Sequence, residues 1–239
     1  MKEKPSVDEN VAMPAYGAAN KYLGDEGELY FQRQSSAGIM AAEFNKFVFQ
    51  PHINEQDDIL EFGCGGGYML YTLDARSKVG VDINPAARAE AARLGITTYS
   101  TLDEIKDSRF SKIITSHALE HVPNPYGALV ELKPLLKPGG KLLWLSPMDD
   151  WRHKSNRRWK SDDPDMHLYA WTPLLIGNLL ATAGYIPEDV SIITHAFPPL
   201  AIGNRLWRIN KSLFHSAAFA VAVLLKRRQI FAMASPATE

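Results

Sequence analysis

Asp58-Ile59-Leu60-Glu61-Phe62-Gly63-Cys64-Gly65-Gly66-Gly67 decides the fold. A short apolar run bounded by acids reads as a buried parallel strand, and it breaks into four glycines within five positions. Glycine takes φ > 0 without steric cost and leaves bare peptide against which a ligand can lie. Tyr68 to Leu73 suits the start of a helix, so the stretch predicts a strand, a sharp turn and a helix amino end with N–H groups over a cleft. The spacing then separates ligands. A dinucleotide fingerprint needs Gly-x-Gly-x-x-Gly, and its third glycine would fall on Tyr68. A second strand, Lys78 to Ile83, carries Asp82 near its tip, 19 positions after Gly63. A carboxylate there can accept both hydroxyls of a ribose. A nicotinamide dinucleotide, or a turn without ligand, are the competing readings.

Two further stretches narrow the choice. The fourth strand, Phe110 to Ser116, runs into His117-Ala118-Leu119-Glu120-His121-Val122-Pro123-Asn124-Pro125. A helix from Pro125 through Leu136 leads into Lys137-Pro138-Gly139-Gly140 and a fifth strand ending near Leu145. With Glu61-x-Gly63-x-Gly65 and Asp82, this ordered set, from Asp57 to Pro147, resembles the class I S-adenosylmethionine-dependent methyltransferases, in their branch that acts on small molecules and glycans. The resemblance implies an α/β, Rossmann-like, seven-stranded and mostly parallel sheet of order 3-2-1-4-5-7-6 with helices on both faces. It implies S-adenosyl-L-methionine as cofactor, held by Glu61, Gly63, Cys64, Gly65, Gly67, Asp82, Ile83, Thr101, Leu102, Ser116 and His117. The acid that the family carries after its third strand has no clear counterpart; Asp103 falls one or two places late.

Composition sets the outer limits. A chain of 239 residues, 46% hydrophobic and 22% charged, suits one globular domain. A net charge of −1 and only a short basic run argue against nucleic acid as partner. The one cysteine, Cys64, lies in the glycine turn, so no internal disulfide can form, which fits a cytoplasmic setting. The first residues show no signal-peptide pattern. The expected organisation is a single domain: a helical lead over 1–55, a cofactor-binding core over 56–196, a helical insertion over 197–228 and a last strand over 229–235.

In the lead, Ile39, Met40, Phe44, Phe47 and Val48 recur at helical spacing, either as a cap on the core or as a cover over the cofactor. Tyr16, Tyr22, Tyr30 and Phe31 are its candidate cleft residues. Pro85 to Leu94 reads as a helix capped by Asn84, and Thr97 to Ser100 as a third strand. The polar segment 148–170 overhangs the carboxyl ends of the strands, and Trp151 to Lys160 is basic and aromatic. It is either a solvated loop or a clamp for an anionic acceptor. Within 197–228, Leu206, Ile209, Leu213, Phe214, Ala217, Val221 and Leu224 form a helical stripe, and Lys226-Arg227-Arg228 follows. Core packing, a homodimer face and a peripheral membrane contact are its three readings.

Methyl transfer from a sulfonium needs alignment and exclusion of water, with no covalent intermediate. A hydroxyl acceptor also needs a base, and His117, His121 and His167 are the catalytic candidates, with His153 beside them. His117-x-x-Glu120-His121 has the look of a metal cluster, but one turn without further ligands is thin for one, and no metal is expected. The resulting expectation is a methyltransferase acting on oxygen or nitrogen of a small-molecule or glycan-like acceptor, which the basic segment would suit if anionic. A cofactor-binding module without turnover and a nicotinamide-dependent reductase are the alternatives.

Overall fold

The structure, a computed structural model, describes residues 22–36, 38–106, 108–148, 158, 167–195 and 200–237. Seven strands form one sheet in the order β3-β2-β1-β4-β5-β7-β6. They are β1 (Asp58–Phe62), β2 (Ser77–Val81), β3 (Thr97–Tyr99), β4 (Phe110–Ser116), β5 (Leu136–Met148), β6 (Tyr185–Ile193) and β7 (Arg228–Pro236). All pairings are parallel except the two made by β7, which runs antiparallel to β5 and β6. This is the order and the sense that the resemblance implies.

The central strands are buried on both faces, which is why they read as nearly unbroken apolar runs. Their side chains still divide by period two. Leu60, Phe62, Ile113, Leu142 and Trp144 point into one core layer. Ile59, Ile114, Leu143, Leu145 and Phe231 point into the other. Helices α5 (Pro125–Leu132) and α6 (Pro173–Thr182) supply the first layer, through Ala128, Leu129, Leu132, Ile176 and Leu180. Helices α2 (Gly38–Phe49), α3 (Tyr68–Thr72) and α4 (Pro85–Arg93) supply the second, through Ala42, Val48, Phe49, Met69, Leu70 and Ala91.

Caps fix where these helices begin. The Asn84 side chain accepts from the N–H groups of Ala86 and Ala87, with Pro85 as first residue of α4. Asn124 and Thr172 do the same for α5 and α6. Helix α5 is shorter than its apolar run suggests: it ends at Leu132, and Lys133–Leu135 tighten into a 3-10 turn around Pro134, whose missing N–H cannot continue the α ladder. The lead contains a further helix, α1 (Gly24–Ser35), packed near α4 through a bond from the Asn84 amide to the Gly27 carbonyl, 2.8 Å. The insertion after β6 is two helices, α7 (Leu200–Ile209) and α8 (Lys211–Leu225), where the stripe reads as one. Asn210 divides them, its side chain capping α8 by accepting from Leu213 N–H at 3.1 Å.

Candidate active site

The glycine turn is built on the tip of β2 rather than on a helix dipole. Gly63, Gly65 and Gly67 all have positive φ, at 73°, 51° and 72°. A Cβ on Gly63 would stand 2.4 Å from the Ala118 Cβ, so the turn and the loop after β4 meet at bare peptide. The turn's N–H groups, expected to face a ligand, are largely engaged within the protein. Gly63 and Cys64 both donate to the Val81 carbonyl, at 2.8 and 3.1 Å, and Gly67 donates to the Cys64 carbonyl at 2.9 Å. Gly65 donates to the Asp82 carboxylate at 2.8 Å. Helix α3 has only 5 residues, too short for a sizeable macrodipole. Few donors are left for a pyrophosphate, which argues against the dinucleotide reading.

What the turn does offer is shape and two acids. It forms one wall of a cleft of about 340 Å³ whose lining includes Glu61, Gly63, Cys64, Gly65, Asp82, Ile83, Ser116 and His117. Glu61 is fully buried. Burial first, and then the charge of Asp82, pushes its carboxyl well above the usual range, against a bond from the Leu70 backbone. Its Oε2 has no hydrogen-bond partner. Such an orphaned buried oxygen fits an ammonium ligand, which would reverse the upward push. Asp82 is also pushed up by burial, opposed by bonds from Asn84 and Gly65 N–H and by the Arg88 charge. Each of its oxygens accepts one backbone N–H, and an ionised carboxylate has further lone pairs for two hydroxyls. The residues present therefore fit the amino-acid end and the ribose of a nucleoside such as S-adenosylmethionine.

The other expected cofactor residues divide. Gly67 stands behind the wall as the residue before α3, where a Cβ would meet Ala91 at 2.9 Å. Ser100 lines the cleft, whereas Leu102 is buried in the core and the Thr101 hydroxyl lies 3.5 Å from Glu104. Cys64 lines the cleft, but its thiol is turned against Gly80 of β2 and burial pushes it well up, away from the reactive thiolate. From the lead, Tyr22, Tyr30 and Phe31 line the opposite wall with Ala41, Ala42 and Asn45 of α2. Sequence periodicity misses Asn45 and the small residues of α2, because nothing about Ala marks a cavity wall. Tyr16, His153 and the basic run from Trp151 to Lys160, apart from Arg158, lie outside the described residues.

The histidines gather at the end of β4. His117 takes φ 53°, uncommon for a non-glycine residue, and its Nε2 lies 2.7 Å from Gln229 Oε1. The Gln229 amide donates in turn to the His195 carbonyl at 3.1 Å, which orients its oxygen towards His117. His117 Nδ1 stands 3.6 Å from Glu120 Oε1. His121 lines the cleft, its Nδ1 3.0 Å from the Tyr22 hydroxyl. His167 does not line the cleft but sets its ring edge-on to His121, centroids 4.8 Å apart. Glu120, fully buried, lies beneath all three. Burial alone would raise its carboxyl, but His117, His121 and His167 together bring it below the usual range, so it stays ionised. Ser146 Oγ donates to its Oε2 at 3.1 Å. Ligand atoms of Glu120, His121 and His167 all lie within 4.8 Å of one another, a spacing that a divalent cation can use. The sequence grouped His117 with Glu120 and His121; the fold puts His167 in its place.

A parallel sheet with one antiparallel strand, β7, next to its edge, a glycine turn with few spare donors, and an acid at the tip of β2 define a nucleoside-binding α/β enzyme of the methyl-transfer class. A profile of the methyltransferase-domain family matches residues 19–188, and the chain belongs to that family, the S-adenosyl-L-methionine-dependent class I enzymes. A ubiquinone biosynthesis O-methyltransferase of Roseobacter denitrificans is 28% identical over 115 residues, 42% of this chain and 45% of that one. The chain thus spans about half the length of the curated relatives it matches. Among solved structures, a Haloferax volcanii complex of the Trm112 methyltransferase activator with a methyltransferase superposes with a TM-score of 0.61 at 13% identity, covering 90% of this chain and 100% of that one. The DhpI–SAH complex gives 0.56 at 16% identity, covering 89% and 94%. At these identities the structures speak for the fold alone.

Proposed function

We propose that the chain transfers the methyl group of S-adenosylmethionine to a hydroxyl oxygen of a small-molecule acceptor, with His121 taking the acceptor's proton. The observation that carries this reading is the pairing of a cleft-lining imidazole with a buried, ionised carboxylate. The cofactor supplies an electrophilic methyl group when bound. The chain must hold the acceptor oxygen in line with it, keep water out and accept one proton. Glu61 and Asp82 would anchor the amino-acid and ribose ends, which leaves the wall of Tyr22, Tyr30, Phe31 and His121 for the acceptor. As the hydroxyl proton moves to His121, the imidazolium that forms lies beside the Glu120 carboxylate, so the positive charge is compensated where it appears. His117, whose Nε2 faces Gln229 and whose Nδ1 faces Glu120, is the alternative base. His167 would act through His121 by fixing its ring plane. The O-methyltransferase names of the relatives support oxygen as the methylated atom.

The test is transfer of labelled methyl from S-adenosylmethionine to a panel of phenols, catechols and sugar hydroxyls. His121→Ala should lower kcat by roughly 10²–10³-fold, within the usual range for loss of a general base, with S-adenosylhomocysteine affinity unchanged. Undiminished turnover in that variant would remove His121 from the chemistry. A second reading is favoured by the ligand spacing of Glu120, His121 and His167: a divalent cation held there would activate the hydroxyl instead. Turnover that chelators abolish and added metal restores selects it.

A further inference from the structure

The solvent face of α8 carries a second surface that the methyl-transfer site does not use. The helix packs inwards through Phe214, Ala218 and Ala222, spaced by four residues, and Phe214 and Ala218 cluster with Phe44 of α2. The opposite face has no charged side chain between Lys211 and Lys226. It is nevertheless exposed and apolar. Leu213, Phe219, Val223 and Leu224 are each more than half accessible, Leu224 by 79%, and Ile209 at the end of α7 is exposed as well. Residues 213, 220 and 224 share one row of the helix and 216, 219 and 223 the next, so the side chains form one continuous strip. Soluble surfaces rarely leave such a strip uncovered without a partner.

Charge identifies the partner. From Val190 to Thr238 there is no acidic residue, and there are six basic ones: Arg205, Arg208, Lys211, Lys226, Arg227 and Arg228. The stretch carries +6 in a chain of net −1, so the remainder carries −7. Arg205 and Arg208 of α7 with Lys211, which also faces Glu43 of α2 at 3.5 Å, precede the strip, and three cations follow it; the 15 residues of α8 span about 22 Å at 1.5 Å per residue. A second copy of the chain is a poor occupant, because apposing two such strips in either direction brings cations against cations with no acid in the stretch to neutralise them. A membrane span is excluded as well: among the described residues no helix is long and apolar enough to cross. A helix with an apolar strip, cations at both ends and Trp207 at the turn, with Lys211 4.6 Å over its ring, suits the plane of an anionic lipid interface.

We infer that α8, with the end of α7, docks the protein flat on an anionic membrane surface, its apolar strip among the acyl chains and its two basic clusters at the lipid phosphates. The position gives this docking a bearing on the cleft. Helix α2 turns Ala41, Ala42 and Asn45 to the cleft and Phe44 and Phe47 to α8 and its neighbours, so the docked helix sits one helix layer from the site. The inference rests on α7 and α8 and is independent of which acceptor is methylated or which residue takes its proton.

The experiment is co-sedimentation of the full chain with phosphatidylcholine vesicles, with and without phosphatidylglycerol, at low and high salt. The wild-type chain should pellet with the anionic vesicles and stay in solution with the neutral ones, and raised salt should release it. Phe219→Glu/Leu224→Glu should bind at least about tenfold more weakly, with its melting temperature and S-adenosylhomocysteine affinity unchanged. Arg208→Glu/Lys226→Glu should lose the preference for phosphatidylglycerol. The inference is overturned if the wild-type chain ignores anionic vesicles, if it binds both kinds equally, or if Phe219→Glu/Leu224→Glu binds as well as wild type. It is equally overturned if the chain sediments as a dimer that the apolar double variant dissolves, since the strip would then belong to a second copy.

Discussion

Gly63→Ala probes the joint between the glycine turn and the loop after β4, and its cost can be divided in advance. The residue has φ 73°, where an L side chain costs roughly 1–2 kcal/mol. The added Cβ would stand 2.4 Å from the Ala118 Cβ, so one of the two chains must move, an overpacking cost of roughly 1–3 kcal/mol. Stiffening of the unfolded chain returns about 0.4–1 kcal/mol. The net is a loss of roughly 1–4.5 kcal/mol, or about 3–14 °C in Tm at about 3 °C per kcal/mol for a chain of this size. Because Ala118 follows His117 directly, the displacement should also weaken S-adenosylhomocysteine binding in calorimetry. Ala118→Gly removes the colliding methyl but leaves the backbone conformation of residue 63 as it is. In the double variant Gly63→Ala/Ala118→Gly, the collision part should vanish and the conformational part should remain. The two changes should then couple by at least about 1 kcal/mol in a double-mutant cycle. Strictly additive melting shifts would refute the contact as the source of the cost.

Asp82→Ala should weaken S-adenosylhomocysteine binding at least tenfold, the loss of charge-assisted bonds of roughly 1.5–3 kcal/mol each; unchanged affinity in calorimetry would remove the ribose assignment. His195 gives a pH dependence with a definite sign. Its ring is stacked 3.8 Å from Phe44, its Nδ1 has no partner, and burial, helped by the charge of His215, lowers its pKa to about 4. Between pH 6.5 and 4 the unfolded chain binds a proton that the folded chain refuses, so stability falls as pH falls through that window, by up to roughly 3 kcal/mol. His195→Phe should flatten that part of the profile in denaturant melts at fixed pH values, and an unaltered acid limb would assign it elsewhere.

The central half of the fold was legible because local signals there agree with the tertiary structure. Continuous apolar runs marked β1, β4 and β5, Asn-Pro pairs marked the starts of α4 and α5, and glycines marked the turn that forms the cleft wall. The bonding of that turn was not legible. Nothing in Gly63-Cys64-Gly65 reveals that its N–H groups are directed to Val81 and Asp82, since those bonds follow from the parallel register of β1 with β2. The stripe over 206–224 hid the break at Asn210, because an apolar period continues through a residue that ends one helix and caps the next. Long-range partners were likewise hidden. Gln229 reaches His117 across 112 residues, and His167 reaches His121 from beyond a segment of no clear period. The placement of Ser100 rather than Thr101 and Leu102 at the cleft is a matter of which way a short strand end faces, and three residues of β3 are too few to show it.

Gly80 lacks a side chain where Cys64 needs the space: a Cβ there would lie 2.4 Å from the Cys64 Sγ. The chain's one thiol is thereby sealed against β2, with 6% of the residue accessible. Alkylating reagents should be unable to react with the native protein and should mark each molecule once when the glycine turn lifts off the second strand. The rate at which that single mass increment appears then reports opening at the cofactor cleft, and added S-adenosylhomocysteine should slow it in proportion to its hold on the turn.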